Sequence, residues 1–233
     1  MVNKPIEVRP NCLGGESLYI SSGATFDENS ARLLQPFHDV LTHHYLAIFR
    51  QPGVYLRWLA RRARIEEMKT WLLVMADTAQ CELQLHQGAF GISTQKDIMV
   101  RCPLKSHRDG ITFRLSQNQP LHDLPPPLQD VYELIDGILE IGAFEAGGLA
   151  RLSDLRLDAS SFPTAPTDSR LDLNKAWWFY QVDNGDQLLA LDDEVYRFRH
   201  EDGSVRKIGN LHDTIRSYFD SFTTGKRWAI PYG

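Results

Sequence analysis

Four short apolar runs separated by tight polar turns occupy the stretch from Trp177 to Phe222, and the hydrophobic period then changes from two residues to 3.6. Trp177 to Val182 reads as a strand, Asp183-Asn184-Gly185-Asp186 as a hairpin turn, and Gln187 to Leu191 as the return strand. Asp192-Asp193 turns the chain into Glu194 to His200, where Val195, Tyr196 and Phe198 mark a third strand. Glu201-Asp202-Gly203-Ser204 leads to a short fourth strand at Val205 to Ile208. Asn210 then caps a helix over about Leu211 to Phe222, with Leu211, Ile215, Tyr218, Phe219 and Phe222 on its apolar side and Gly225 as its stop. A meander of antiparallel strands closed by a helix places the chain in the α+β class.

The upstream sequence is less regular. Ser17 to Ile20 has the alternation of a short strand. A helix is expected from about Ser30 to Arg50, capped by Asp27 or Asn29, with Pro36 tolerated in its second turn. Pro52-Gly53 breaks that pattern, and a second helix follows over about Val54 to Ala76, with an apolar stripe that includes Leu56, Leu59, Met68, Leu72 and Met75. The period then changes to two, so that Leu83 and Leu85, Ile98 and Val100, and Ile111, Phe113 and Leu115 mark three strands, with Asp109-Gly110 as a turn. Leu124-Pro125-Pro126-Pro127 is a linker or the rigid lead-in to a helix at Leu128 to Ile135 that Gly137 ends. Ser160 to Asp168 is the most loop-like stretch. Two parts result: an N-terminal helical extension or subdomain with short strands over 1–103, and a second domain over 104–233.

The order of pieces in the second part resembles the SUKH superfamily, also called the SMI1/KNR4 family. The resemblance lies in "LPPPLQDVYELIDG" at Leu124 to Gly137, then "DNGDQLLALDD", "EVYRFRHED" and the closing helix "LHDTIRSYFDSF". It covers roughly Leu104 to Phe222; the triple proline is unusual for the family, and the first hundred residues have no counterpart in it. The resemblance implies an SMI1/KNR4-like antiparallel sheet packed with helices and a non-enzymatic binding role. Bacterial members are similar to immunity proteins that bind and block a toxin, often a nuclease or another nucleic-acid-modifying enzyme. Eukaryotic members resemble scaffolds. The family carries no catalytic residues to transfer.

Charge distribution bears on the partner. Asp123 to Gly203 holds 17 Asp or Glu against 6 Arg or Lys, a net of −11, which leaves +6 for the remainder of a chain whose total is −5. An acidic segment repels nucleic acid and attracts basic surfaces. Asp183, Asp186, Asp192, Asp193, Glu194, Glu201 and Asp202 fall on three successive turns, and alternate turns of a meander share an end. They are read either as ordinary turn chemistry or as a phosphate mimic that fills a toxin's cationic cleft. Trp177 and Trp178 are neighbours on a strand, so one faces the core and the other is a candidate interface anchor. These nine residues form the expected partner-binding set.

No nucleophile elbow, phosphate-binding loop, dinucleotide fingerprint or His-Glu-x-x-His motif is present. Asp39 and His43, with His38 and His44 nearby, have chelating spacing on a helix but lack a recognisable third ligand, so no metal and no cofactor is expected. The basic residues Arg57, Arg61, Arg62 and Arg64 read as a solvated helix face, and Trp58 and Trp71 as core. Cys12, Cys81 and Cys102 are widely spaced, which fits packing thiols in a reducing compartment. With no long apolar run and no N-terminal apolar segment, the chain is expected in the cytoplasm, without membrane or nucleic-acid partners. The leading reading is an immunity protein that neutralises a cognate toxin. The alternatives are a scaffold for an endogenous protein and a metal-dependent enzyme with its site in the N-terminal region.

Overall fold

The computed structural model describes residues 6–10, 16–22, 28–39, 41–78, 80–90, 93–104, 107–116, 120–141, 146–156, 172–182, 184–225, 228 and 230. Over the described residues it is an α+β structure with six helices and eleven strands, paired antiparallel. The chain divides into two compact units, one of Met1–Arg61 and Leu72–Leu115, the other of Arg62–Trp71 and Ser116–Gly233. Among the described residues no helix is long and apolar enough to cross a membrane.

The first unit is not a helical N-terminal region with one short strand ahead of it; two paired strands precede its helices. It opens on strands β1 (Ile6–Pro10) and β2 (Glu16–Ser21), which pair with Ile6 opposite Ile20. The expected strand at Ser17 to Ile20 lies within β2. β1 does alternate, Ile6 and Val8 against Glu7 and Arg9, but two apolar residues in a five-residue strand ending at Pro10 make a short signal that the sequence reading passes over. Helices α1 (Glu28–Leu34), α2 (His43–Arg50), α3 (Pro52–Arg62) and α4 (Glu66–Thr78) lie in the middle of the chain, between β2 and β3 (Glu82–Phe90).

Each long expected helix is two helices. The first ends at Leu34, because Pro36 has no N–H to donate and its ring crowds the preceding turn; Gln35–Phe37 closes as a 3-10 turn, and α2 restarts after Thr42. Asn29 accordingly lies inside α1 rather than before it, and Asp27 is outside the described residues. The second breaks at 63–65. Leu56 and Leu72 are both fully buried, yet on one straight helix sixteen residues would turn them about 160° apart. Pro52, read as a breaker, occupies the first position of α3, where its missing N–H costs nothing.

Strands β3, β4 (Ser93–Leu104) and β5 (His107–Leu115) complete the sheet of this unit, with Leu85 opposite Ile98 and Val100 opposite Phe113. Asp109-Gly110 lies inside β5 rather than at a turn. Tyr45 locks α2 onto the sheet: its hydroxyl donates to the Ile98 carbonyl at 2.9 Å and accepts the Leu115 N–H at 3.2 Å. Cys81 and Cys102 are buried free thiols, and Cys12 lies outside the described residues.

The second unit contains helix α5 (Pro126–Tyr132), strands β6 (Ile135–Ile141), β7 (Ala146–Leu149), β8 (Trp177–Gln181), β9 (Gln187–Leu191), β10 (Glu194–Phe198) and β11 (Val205–Asn210), and helix α6 (Leu211–Thr224). The proline run is a helix lead-in, since Pro126 opens α5. Gly137 does not end that helix. It sits in β6 at φ 93°, where a Cβ would stand 2.9 Å from the carbonyl oxygens of both Leu149 and Ala150. Strands β6 to β11 pair in chain order. A bulge between Trp178 and Tyr180 lets three consecutive side chains, Trp178, Phe179 and Tyr180, all be buried, which strict alternation would forbid. Trp178 packs with Leu173, Ala176, Leu189 and Phe198. Tyr180 meets Tyr218 of α6 edge-on at 5.4 Å, and Phe219 and Phe222 pack against Trp71. The expected apolar side of α6 is therefore its buried side. The loop-like stretch 160–168 lies outside the described residues.

Candidate functional site

The meander and its turns form the candidate site. β8 ends at Gln181, and the chain reverses through a turn in which the Val182 N–H donates to the Asp186 carbonyl at 2.8 Å and the Gly185 N–H to the Val182 carbonyl at 3.0 Å. Gly185 has φ 89°, a backbone state that suits glycine, and a Cβ there would press on the His200 ring at 3.3 Å. The turn delivers Asp186 inward, to 2% exposure.

Asp186 is the centre of a buried network. Arg197 donates from Nε at 2.8 Å and from Nη2 at 2.6 Å to Oδ2, while the His200 ring donates from Nδ1 at 2.9 Å and its backbone N–H at 3.3 Å to Oδ1. Burial by itself would raise this carboxyl. The hydrogen bonds from His200 and Arg197 outweigh it and hold Asp186 below the usual carboxylate range. The network staples the first turn of the meander to its third, confirming that alternate turns share an end. It also corrects one expectation: Asp186 is an internal anchor for Arg197 and His200 rather than a surface charge.

Around this staple lies a concavity of about 590 Å3 whose lining includes Asn184, Asp186, Arg197, Arg199, Glu201 and Arg206. Its acids are largely neutralised. Arg199 pairs with Glu201 at 3.0 Å and with Asp202 at 3.1 Å. Hydrogen bonding from Ser204, with Arg199 beside it, holds Asp202 below the usual carboxylate range. Glu194 is held down in the same way by Lys207 and by the Tyr196 hydroxyl, which donates to it at 2.7 Å.

At the other end of the meander, Asp192 adopts φ 54°, a left-handed conformation that Asp tolerates better than most residues. The Asp193 carbonyl accepts the Leu211 N–H at 2.8 Å, so this turn abuts the start of α6. Asp192 and Asp193 are exposed, and neither carboxylate forms an ion pair among the described residues. Trp178 is in the core at 2% exposure. Trp177 is half-buried, with the Arg156 guanidinium 3.6 Å above its ring. Asp183 lies outside the described residues.

Of the expected binding set, the structure thus brings Asp186, Glu201 and Asp202 to one end and Asp192, Asp193 and Glu194 to the other. Sequence reasoning missed Arg197 and Arg199 as partners of these acids. A signal was present. Arg197 lies two residues after buried Val195 on a strand, hence on the same inward face, and an inward arginine requires a buried carboxylate.

The histidine cluster does not assemble as a metal centre: among the described residues no group of three or more His, Cys, Asp or Glu is placed to hold an ion. His43 and His44 pack ring against ring at 4.0 Å instead, and His44 Nδ1 is hydrogen-bonded to the Tyr55 hydroxyl at 2.7 Å. Compared with known proteins, the chain matches no family model, no curated protein and no solved structure.

Proposed function

We propose that this protein binds and neutralises a cognate bacterial toxin in a stoichiometric complex, using an SMI1/KNR4-like second unit and no catalytic step of its own. Support comes from the order of its elements, a proline-led helix, an antiparallel meander and a closing amphipathic helix, which follows the order of the motifs that carry the family resemblance. The observation that carries the reading is the Asp192–Asp193 corner. It is a pair of exposed carboxylates without ion-pair partners among the described residues, hydrogen-bonded through its backbone to the start of α6. A fixed acidic corner of this kind steers a cationic partner and speeds its association. The acids at the opposite end have lost much of that capacity to Arg197 and Arg199.

The test is co-expression with the product of the adjacent gene, followed by kinetics of the purified pair at several ionic strengths. A 1:1 complex is expected. Asp192→Asn with Asp193→Asn, which keeps a residue tolerant of the left-handed conformation, should lower the association rate about three- to tenfold at low salt and flatten its salt dependence. Failure of the neighbour's product to bind overturns the toxin reading. An unchanged association rate overturns the acidic corner as its docking point.

A further inference from the structure

The first unit carries a groove that this reading does not use. It lies between α2 and α3, has a volume of about 500 Å3, and is lined chiefly by His43, His44, Arg50, Val54, Tyr55 and Trp58. The inner faces of the two helices, Tyr45, Ile48 and Phe49 on α2 and Leu56, Leu59 and Ala60 on α3, are in the core, so the groove occupies their outer side. Trp58, expected in the core, is 39% exposed, and Val54, one turn earlier on the same face, is 64% exposed.

These rings are held in place. Besides the contacts of His44 with His43 and the Tyr55 hydroxyl, Tyr55 packs on Trp58 at 5.3 Å and His44 lies near-parallel to Trp58 at 6.0 Å. The result is a preorganised aromatic floor, which lowers the entropic cost of binding. Exposed Trp and Arg side chains gathered beside a half-buried Tyr are the composition of an interface hot spot.

Charge then selects the occupant. Among the described residues no carboxylate lines the groove. Arg50 lines it, and Arg61 follows Trp58 by one helical turn; neither forms an ion pair among the described residues. A nucleic-acid strand fits less well. Arg57, the cation one residue before Trp58 that it would also track, is already paired with Asp77 at 2.9 Å. We propose that the groove is a docking site for an acidic segment of a partner protein, which seats one aliphatic or aromatic side chain on Val54, Tyr55 and Trp58 and sets a carboxylate against Arg50. This site stands apart from the toxin reading, which rests on the second unit.

The experiment titrates the full-length protein with acetylated Glu-Leu-Phe-Glu amide, with acetylated Lys-Leu-Phe-Lys amide and with a ten-nucleotide oligothymidine, reading the tryptophan indole N–H signals by NMR. The acidic peptide should bind at least about tenfold tighter than the basic one, with the Trp58 signal moving most. Arg50→Glu should reverse that preference, and Trp58→Ala should weaken the acidic peptide about tenfold while leaving the far-ultraviolet circular dichroism unchanged. Equal affinity for the two peptides, no saturable response at millimolar concentration, or tighter binding of oligothymidine would each overturn the proposal.

Discussion

Replacing Asp186 by Ala removes a carboxylate that Arg197 and His200 share and takes from the Arg197 guanidinium, 10% exposed, its two hydrogen bonds to Oδ2. Breaking a buried pair from one side costs about 3–5 kcal/mol, far above the ~0.5 kcal/mol typical of surface substitutions. The second unit has about 130 residues, and at about 2.1 cal/mol/K of unfolding entropy per residue a 3 kcal/mol loss, itself about the lower bound, lowers Tm by roughly 11 °C if that unit melts alone. The fall is roughly 6 °C if the whole chain melts together. Urea denaturation followed by circular dichroism measures the free energy directly. The double variant Asp186→Leu, Arg197→Leu removes both charges and should recover a large part of the loss. The pH dependence has a definite sign. The folded carboxyl lies below its unfolded value, so the unfolded chain binds more protons as pH falls through the unfolded pKa of about 3.9. The stability contributed by Asp186 is present above that pKa and is lost as pH falls toward and through the folded one. Asp186→Asn should therefore flatten the acid limb of the stability profile. A loss below about 0.5 kcal/mol for Asp186→Ala, with an unchanged acid limb, would refute the buried-staple reasoning.

Three smaller tests address the frame around the site. Asn210→Ala removes the side-chain oxygen that accepts the Asp213 N–H at 2.8 Å, and should cost about 1 kcal/mol in urea denaturation. Gly137→Ala should cost about 2 kcal/mol or more, because it combines a positive φ with a 2.9 Å clash against two fixed carbonyls; a neutral result would mean that β6 does not run this close to Leu149 and Ala150. Burial pushes the Cys81 thiol up to about 12 and that of Cys102 well above its ordinary value. Both should resist iodoacetamide at pH 8 in the native protein and react after denaturation, as mass spectrometry of the two peptides would show.

The elements most legible in the sequence are those whose signals are local. Asp183-Asn184-Gly185-Asp186, Asp192-Asp193 and Asn210 announce turns and a cap within a few residues, and β8 to β11 and α6 lie within a residue or two of where those signals put them. Errors concentrate where a local sign has two meanings. Gly137 carries the sign of a helix stop, because glycine often follows a helix, but its place in β6 lets two backbones approach. Pro52 carries the sign of a breaker, because proline ends helices, but it also begins them. Whether α3 and α4 are one helix depends on which direction Leu56 and Leu72 must face, and that is set by the core rather than by the helix.

The candidate site shows the same limit in its charges. A surplus of eleven negative charges over Asp123 to Gly203 invites the picture of a uniformly acidic surface, yet strand pairing brings Lys207 to Glu194 and the third turn folds Arg199 back on Glu201 and Asp202. Asp186 spends its charge inside. What a partner meets is not the sum over a segment but the charges left after these pairings. At the meander those are Asp192 and Asp193, with Arg206 exposed beside the Asp186 concavity; on α2 and α3 they are Arg50 and Arg61. The two locations differ in chemistry as well as sign, since only the groove sets an aromatic floor beside its free charge. Electrostatic steering by the acidic corner should therefore fade with added salt, whereas docking in the groove should retain the part that Trp58 and Tyr55 contribute through apolar contact. Two partners, or two parts of one partner, would be told apart by that difference alone.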